Sequence, residues 1–133
     1  MKTYSEEEYP KQQITEKIIK AAFIVHNRLG ASFVEKVYEN ALARELRVMG
    51  LDVQQQKPMK VTYGGEPVGE FIADLLVEQS VIVELKAVRR LEKPFEDKLL
   101  HYLRTTSLPV GLLVNFGGPS VEVKRKVNFQ STI

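Results

Sequence analysis

Apolar residues in this chain recur at one spacing as far as Met49 and at another from Val53 onward. That switch limits the folds open to it. Ile18, Ile19, Ala22, Val25 and Leu29 follow helical spacing, with Thr15 as a candidate N-cap and Gly30 placed to end the helix. Val34, Val37, Tyr38, Ala41, Leu42 and Leu46 form a second stripe, predicting a helix from Phe33 to Met49 that Gly50 stops. Beyond it the period shortens. Val53–Gln56 and Met59–Tyr63 read as short strand segments, and Gly64-Gly65 as a hairpin turn. Val68–Val77 and Val81–Ala87 read as strands joined through Glu78-Gln79-Ser80. Pro94 can open a helix running to Thr106. PVGLLVNF, residues 109–116, is a strongly apolar strand, and Val121–Val127 alternates like an edge strand. The order α-α-β-β-β-β-α-β-β predicts an α/β (mixed α+β) architecture, a central mixed β-sheet flanked by helices.

Composition narrows the function classes. With 133 residues and 44% hydrophobic content, one domain with one core is the economical expectation, residues 1–12 forming a polar arm. No apolar run approaches the roughly 18 residues that span a bilayer, and the N-terminus has no apolar signal segment. The absence of cysteine removes disulfides, zinc thiolates and thiol nucleophiles, and fits a cytoplasmic protein. A net charge of +2 does not by itself announce a nucleic-acid binder. The basic residues are nevertheless grouped: Lys86, Arg89, Arg90, Lys93 and Lys98 in one span, Lys124, Arg125 and Lys126 in another. Each group reads as a solvated face or as a phosphate-facing patch.

Chemistry concentrates at FIADLLVE and VIVELKA. Charges on apolar strands are costly to bury unless paired or bound. Side chains alternate across a strand, so Glu70, Ile72, Asp74 and Leu76 share one face, as do Ile82, Glu84 and Lys86 on the next strand. If Asp74 and Glu84 face the same side, two oxygen donors converge, the preference of Mg²⁺ or Mn²⁺; the Leu85 carbonyl lies beside them. Lys86 would place an ammonium next to them, completing a metal-assisted phosphodiester site. Glu-x-Lys also occurs at Glu96–Lys98 and Glu122–Lys124. The former lies in a predicted helix, where residues two apart do not face each other. The latter has no acidic residue on a preceding strand. The competing reading of Asp74, Glu84 and Lys86 is a cross-strand ion pair. Glu35 and Tyr38, three apart on the second helix, share a face, with Glu35 toward solvent and Tyr38 toward the core on pattern alone. His26, near a helix C-terminus, reads as a capping or surface residue, and nothing around His101 suggests catalysis.

These segments resemble the GxxExxY family of small bacterial and archaeal proteins, assigned to the PD-(D/E)XK nuclease superfamily. The resemblance spans roughly residues 14–127 and rests on VHNRLGASFVEKVYENAL (25–42), GEFIADLLVEQSVIVELKAV (69–88) and LLHYLRTTSLPVGLLVNFG (99–117). It implies a restriction-endonuclease-like PD-(D/E)XK core, α-β-β-β-α-β. It places Asp74, Glu84 and Lys86 at the D…(D/E)xK positions, and Glu35 and Tyr38 at the name motif's glutamate and tyrosine. Related nucleases often use a helix glutamate there in metal binding, which brings Glu35 into the expected metal set with Asp74, Glu84 and Leu85. The motif's glycine is Ser32 here, a residue suited to a helix entry. The Gln-x-x-x-Tyr pair of related nucleases reads Lys98 and Tyr102, which keeps a phosphate-binding donor but changes its charge.

The resulting expectation is a Mg²⁺- or Mn²⁺-dependent nuclease acting on DNA, with Lys98, Tyr102, Arg89 and Arg90 as nucleic-acid contacts and a homodimer or protein partner supplying specificity. The alternative is a non-catalytic nucleic-acid-binding or protein-interaction module on the same fold.

Overall fold

A computed structural model describes residues 10–128. Helices α1 (Gln12–Leu29) and α2 (Glu35–Val48) precede strands β1 (Val53–Tyr63), β2 (Glu66–Val77) and β3 (Val81–Lys86). Helix α3 (Lys93–Thr106) leads to β4 (Val110–Asn115) and β5 (Glu122–Val127). The strands form one five-stranded sheet in the order β1-β2-β3-β4-β5. Every neighbouring pair is antiparallel except β3 and β4. A parallel pair needs a crossover, and α3 supplies it. This is the mixed sheet flanked by helices that the alternation of periods predicts. Among the described residues no helix is long and apolar enough to cross a membrane.

The sheet buries both faces. On one, Ile18, Val25, Tyr38, Leu42 and Leu46 of α1 and α2 pack on Leu75, Val83, Leu85, Leu112 and Val114. On the other, Leu99 and Leu103 of α3 pack on Ala73, Leu76, Ile82 and Leu113. The near-continuous apolar runs of β3 and β4 follow from this double covering.

The arm expected over 1–12 lies outside the described residues as far as residue 9; at Pro10 the carbonyl accepts from Arg125 at 2.7 Å. Three local expectations are corrected. Helix α1 starts at Gln12, so Thr15 is inside it, with its hydroxyl donating back to the Gln12 carbonyl at 3.0 Å. Ser32 does not cap α2: the N-cap position is Val34 and carries no side-chain cap. The Tyr38 hydroxyl holds that connection instead, donating to the Gly30 carbonyl and accepting from the Phe33 N–H at 3.2 Å. Finally, the two segments around Lys57-Pro58 are one strand, β1. It is an edge strand, where a proline costs no ladder hydrogen bond. Gly64 and Gly65, with φ of 60° and 83°, close the β1–β2 hairpin as the sequence predicts.

The alternation of β2 changes phase at Asp74. Leu75 and Val77 face α1 and α2, and Leu76 faces α3. Ala73 and Phe71 should then lie with Leu75, yet both pack in the α3 cluster. Its neighbour β1 turns over at the same level, at Gln56, whose φ is 52°. Pairing between β2 and β3 also ends there: Leu75↔Val83 is the last partnership toward the β3 C-terminus. Beyond it β1 and β2 continue as a two-stranded ribbon to the hairpin.

Candidate metal and nuclease site

The opening between β2 and β3 is where the acidic residues sit. Asp74 and Glu84 stand one step past the last paired residues, opposite each other across the parting strands. The Asp74 carboxylate fills the gap, its Oδ2 accepting the Leu85 N–H at 2.8 Å. Glu84 lies on the α3 side of the sheet, at a small cavity of about 30 Å³ also lined by Lys86, Phe95, Lys98, Leu99, Tyr102 and Leu113. Period two holds for Glu84 and Lys86 on β3, but not for β2: the phase change at Asp74 separates Glu70 and Ile72 from Leu76, and Asp74 meets Glu84 across the parting of the strands rather than on a shared β2 face.

Two carboxyl groups face each other at this parting, and their electrostatics are unbalanced. Glu84 Oε1 is buried without a hydrogen-bond partner. Burial first, then the charge of Asp74, pushes the Glu84 carboxyl up to about 9. Lys86 does not neutralise it through an ion pair; among the described residues neither Asp74 nor Glu84 forms a salt bridge. The cross-strand ion pair does not form, although the Lys86 charge still offsets a little of the rise at Glu84. The Lys86 ammonium instead stands 4.5 Å from the centroid of the Phe95 ring. Two hard oxygen donors side by side, one of them unsatisfied, fit a divalent cation.

The structure does not add Glu35 to this group. Glu35 is exposed on the first turn of α2, and among the described residues no three acidic, histidine or cysteine side chains are grouped to hold a metal. Tyr38, its motif partner, is fully buried and stacks on Phe116 with centroids 4.7 Å apart. The α2 carboxylate that reaches toward Asp74 is Glu39, one turn further along. It is 4% exposed, and its Oε1 accepts from the Gln56 amide at 2.6 Å. The same amide approaches Asp74 Oδ1 at 3.4 Å. Sequence reasoning missed Glu39 and Gln56. The spacing of Glu39, four residues after Glu35 on the same helical face, is the one signal that could have found it.

The basic candidates separate. Lys98 and Tyr102 lie on one face of α3, with the ammonium 5.7 Å from the ring centroid. The Tyr102 ring stacks on Phe71 of the ribbon at 3.6 Å. Arg89 and Arg90 are exposed on the turn after β3. That turn is fixed by Asn115, which accepts from the Val88 N–H and donates to the Val88 carbonyl, both at 2.9 Å. Gly117 lies flush against it: a Cβ there would sit 2.2 Å from the Val88 oxygen. The second basic group is not a patch. Arg125 donates to Thr15 and Pro10, and Lys126 pairs with Glu96 at 2.8 Å. His26 is buried rather than a surface or capping residue; its Nε2 is 3.0 Å from the Gly118 carbonyl, tying α1 to the loop after β4.

No curated protein and no solved structure matches the chain. The sequence profile described as the PD-(D/E)XK nuclease superfamily matches residues 12–126. With nearly its whole length covered, and with this sheet, the chain belongs to the PD-(D/E)XK nuclease superfamily.

Proposed function

We propose that this protein is a Mg²⁺- or Mn²⁺-dependent nuclease that hydrolyses DNA phosphodiester bonds, and that it belongs to the GxxExxY branch of the superfamily. The observation that carries the reading is the unsatisfied Glu84 oxygen beside Asp74 at the parting of β2 and β3. Asp74, Glu84 and the Leu85 carbonyl would hold the cation; Glu35 has no part in this assignment. A bound divalent cation would supply Lewis-acid polarisation of the phosphate and a more acidic water.

The chain's own groups account for the rest. Asp74 is aimed by the Leu85 N–H, so its carboxylate needs no reorientation when it is used. Lys86 carries its ammonium on the same strand face as Glu84, seated on Phe95. There it can orient an attacking water or meet negative charge growing on the phosphoryl oxygens. Lys98, exposed at the mouth of the same cavity, offers a donor to a flanking phosphate. Arg89 and Arg90, exposed on the turn after β3, would add further phosphate contacts.

Incubating the protein with single- and double-stranded DNA, and with RNA, in Mg²⁺ or Mn²⁺ tests this. Cleavage of DNA is expected, lost in Asp74→Asn and in Lys86→Ala with the fold retained. Cleavage that survives both substitutions would remove the site assignment. A folded protein that binds nucleic acid without cutting it would favour the non-catalytic module.

A further inference from the structure

Adjacent side chains on a regular strand point to opposite faces. Gln55 and Gln56 break that rule. Gln55 donates to Glu39 Oε2 at 2.7 Å, and Gln56 donates to Glu39 Oε1 at 2.6 Å. Both reach one carboxylate because Gln56 takes a left-handed backbone, with φ of 52°. Glutamine rarely adopts that conformation, and no glycine occupies the position. A residue held this way needs surroundings that over-determine it, and such residues concentrate at functional sites. Here the surroundings are the buried Glu39, which also accepts from Lys36 at 3.0 Å.

The anchored amide faces Asp74. Gln56 lies between Gln55↔Leu75 and Lys57↔Ala73 in the β1–β2 register, directly across from Asp74. Its contact with Asp74 Oδ1, at 3.4 Å, is much longer than its contact with Glu39. The short bond fixes the amide. The long one leaves Oδ1 touched but not saturated. Leu85 N–H holds the other oxygen at 2.8 Å. Asp74 is therefore steered from both sides, by β3 backbone and by an amide anchored on α2.

We infer that Gln56 is a positioning residue for Asp74, carrying the orientation set by Glu39 on one face of the sheet to the metal-binding carboxylate at its parting. This rests on the metal-site reading above. It predicts that Glu39 acts on the site without touching substrate or cation.

The test uses the full chain and Mn²⁺ alone, by titration calorimetry, with Gln56→Gly and Gln56→Asn. Glycine accepts the left-handed backbone without strain, and asparagine tolerates it with an amide one methylene too short to span Glu39 and Asp74. Both variants take one donor from the buried Glu39, so they should melt somewhat below wild type, with a native circular dichroism spectrum showing that the fold is kept. Both should bind Mn²⁺ roughly tenfold more weakly, as loss of a ligand-orienting partner does. In cleavage, kcat should fall while the KM for DNA stays unchanged. Wild-type Mn²⁺ affinity in both variants would overturn the role of Gln56 and leave the metal site standing. No Mn²⁺ binding by the wild-type chain would overturn the metal site itself, and this role with it.

Discussion

Glu39 and Glu84 are carboxylates drawn in from opposite faces of one sheet, and their surroundings differ. Glu39 is satisfied: Lys36, Gln55 and Gln56 all donate to it. Glu84 has a buried oxygen with no partner and a neighbouring carboxylate that raises its pKa further. A charge kept for architecture is surrounded by donors, since an unpaired buried charge costs several kcal/mol. A carboxyl left short of donors, beside a second acid, keeps its proton well above the usual carboxylate range and would ionise readily only with a cation beside it. The contrast separates the acid held by the architecture from the acid proposed to bind the cation, without reference to which residue is more buried.

The contrast can be broken most sharply at Asp74. Asp74→Asn should lower DNA cleavage by roughly a thousandfold or more, about 4 kcal/mol of barrier, while circular dichroism stays native. Activity near wild type would place the functional acid elsewhere. The next largest effect should fall on Glu39. Replacing it with leucine leaves Gln55, Gln56 and Lys36 without their acceptor and should cost about 3 kcal/mol of stability, read by urea denaturation. A neutral result would show that Glu39 is not the architectural acid.

Glu84→Gln should move stability the other way. The folded-state pKa of about 9 lies above the ordinary 4.5. Between those values the folded carboxyl keeps a proton that the unfolded chain has released, so stability falls as pH rises through the window. The glutamine variant escapes this. It should be more stable than wild type by on the order of 2 kcal/mol at pH 8 without added metal, and equal to it below pH 4. A destabilised variant at pH 8 would mean that Glu84 is already satisfied. The smallest effect belongs to Lys98→Gln, which should change the KM for DNA a few-fold and leave Mn²⁺ affinity unaltered. A loss of Mn²⁺ binding there would bring Lys98 into the metal site.

The same two acids show where the sequence is readable. Glu84 and Lys86 stand out because polar residues interrupt an apolar strand at period two, and Asp74 because it does so on the strand before. The element order is legible for the same reason. Glu39 is not, because YENAL reads as any amphipathic helix, and nothing local says that its carboxylate meets β1. Gln56 is hidden more deeply. A positive φ is legible when glycine or asparagine marks it, and QQQKP marks nothing. The change of phase at Asp74 coincides with the left-handed Gln56 on the paired strand, so it belongs to the pair and is visible in neither strand's sequence alone. Pro58 misleads in the other direction, since only the sheet order shows that β1 is an edge.

The central claim is that Asp74 and Glu84 form a divalent-cation site, and Mn²⁺ titration calorimetry of wild type and Glu84→Gln at pH 7.5 tests it most directly. Run in two buffers of different ionisation enthalpy, it also counts protons. The account predicts that the wild-type chain binds Mn²⁺ with release of close to one proton, because a Glu84 carboxyl held near 9 must ionise to become a ligand. It predicts that both the binding and the proton release are lost in Glu84→Gln. Absence of Mn²⁺ binding by the folded wild-type protein, or equal binding by the variant, would contradict it.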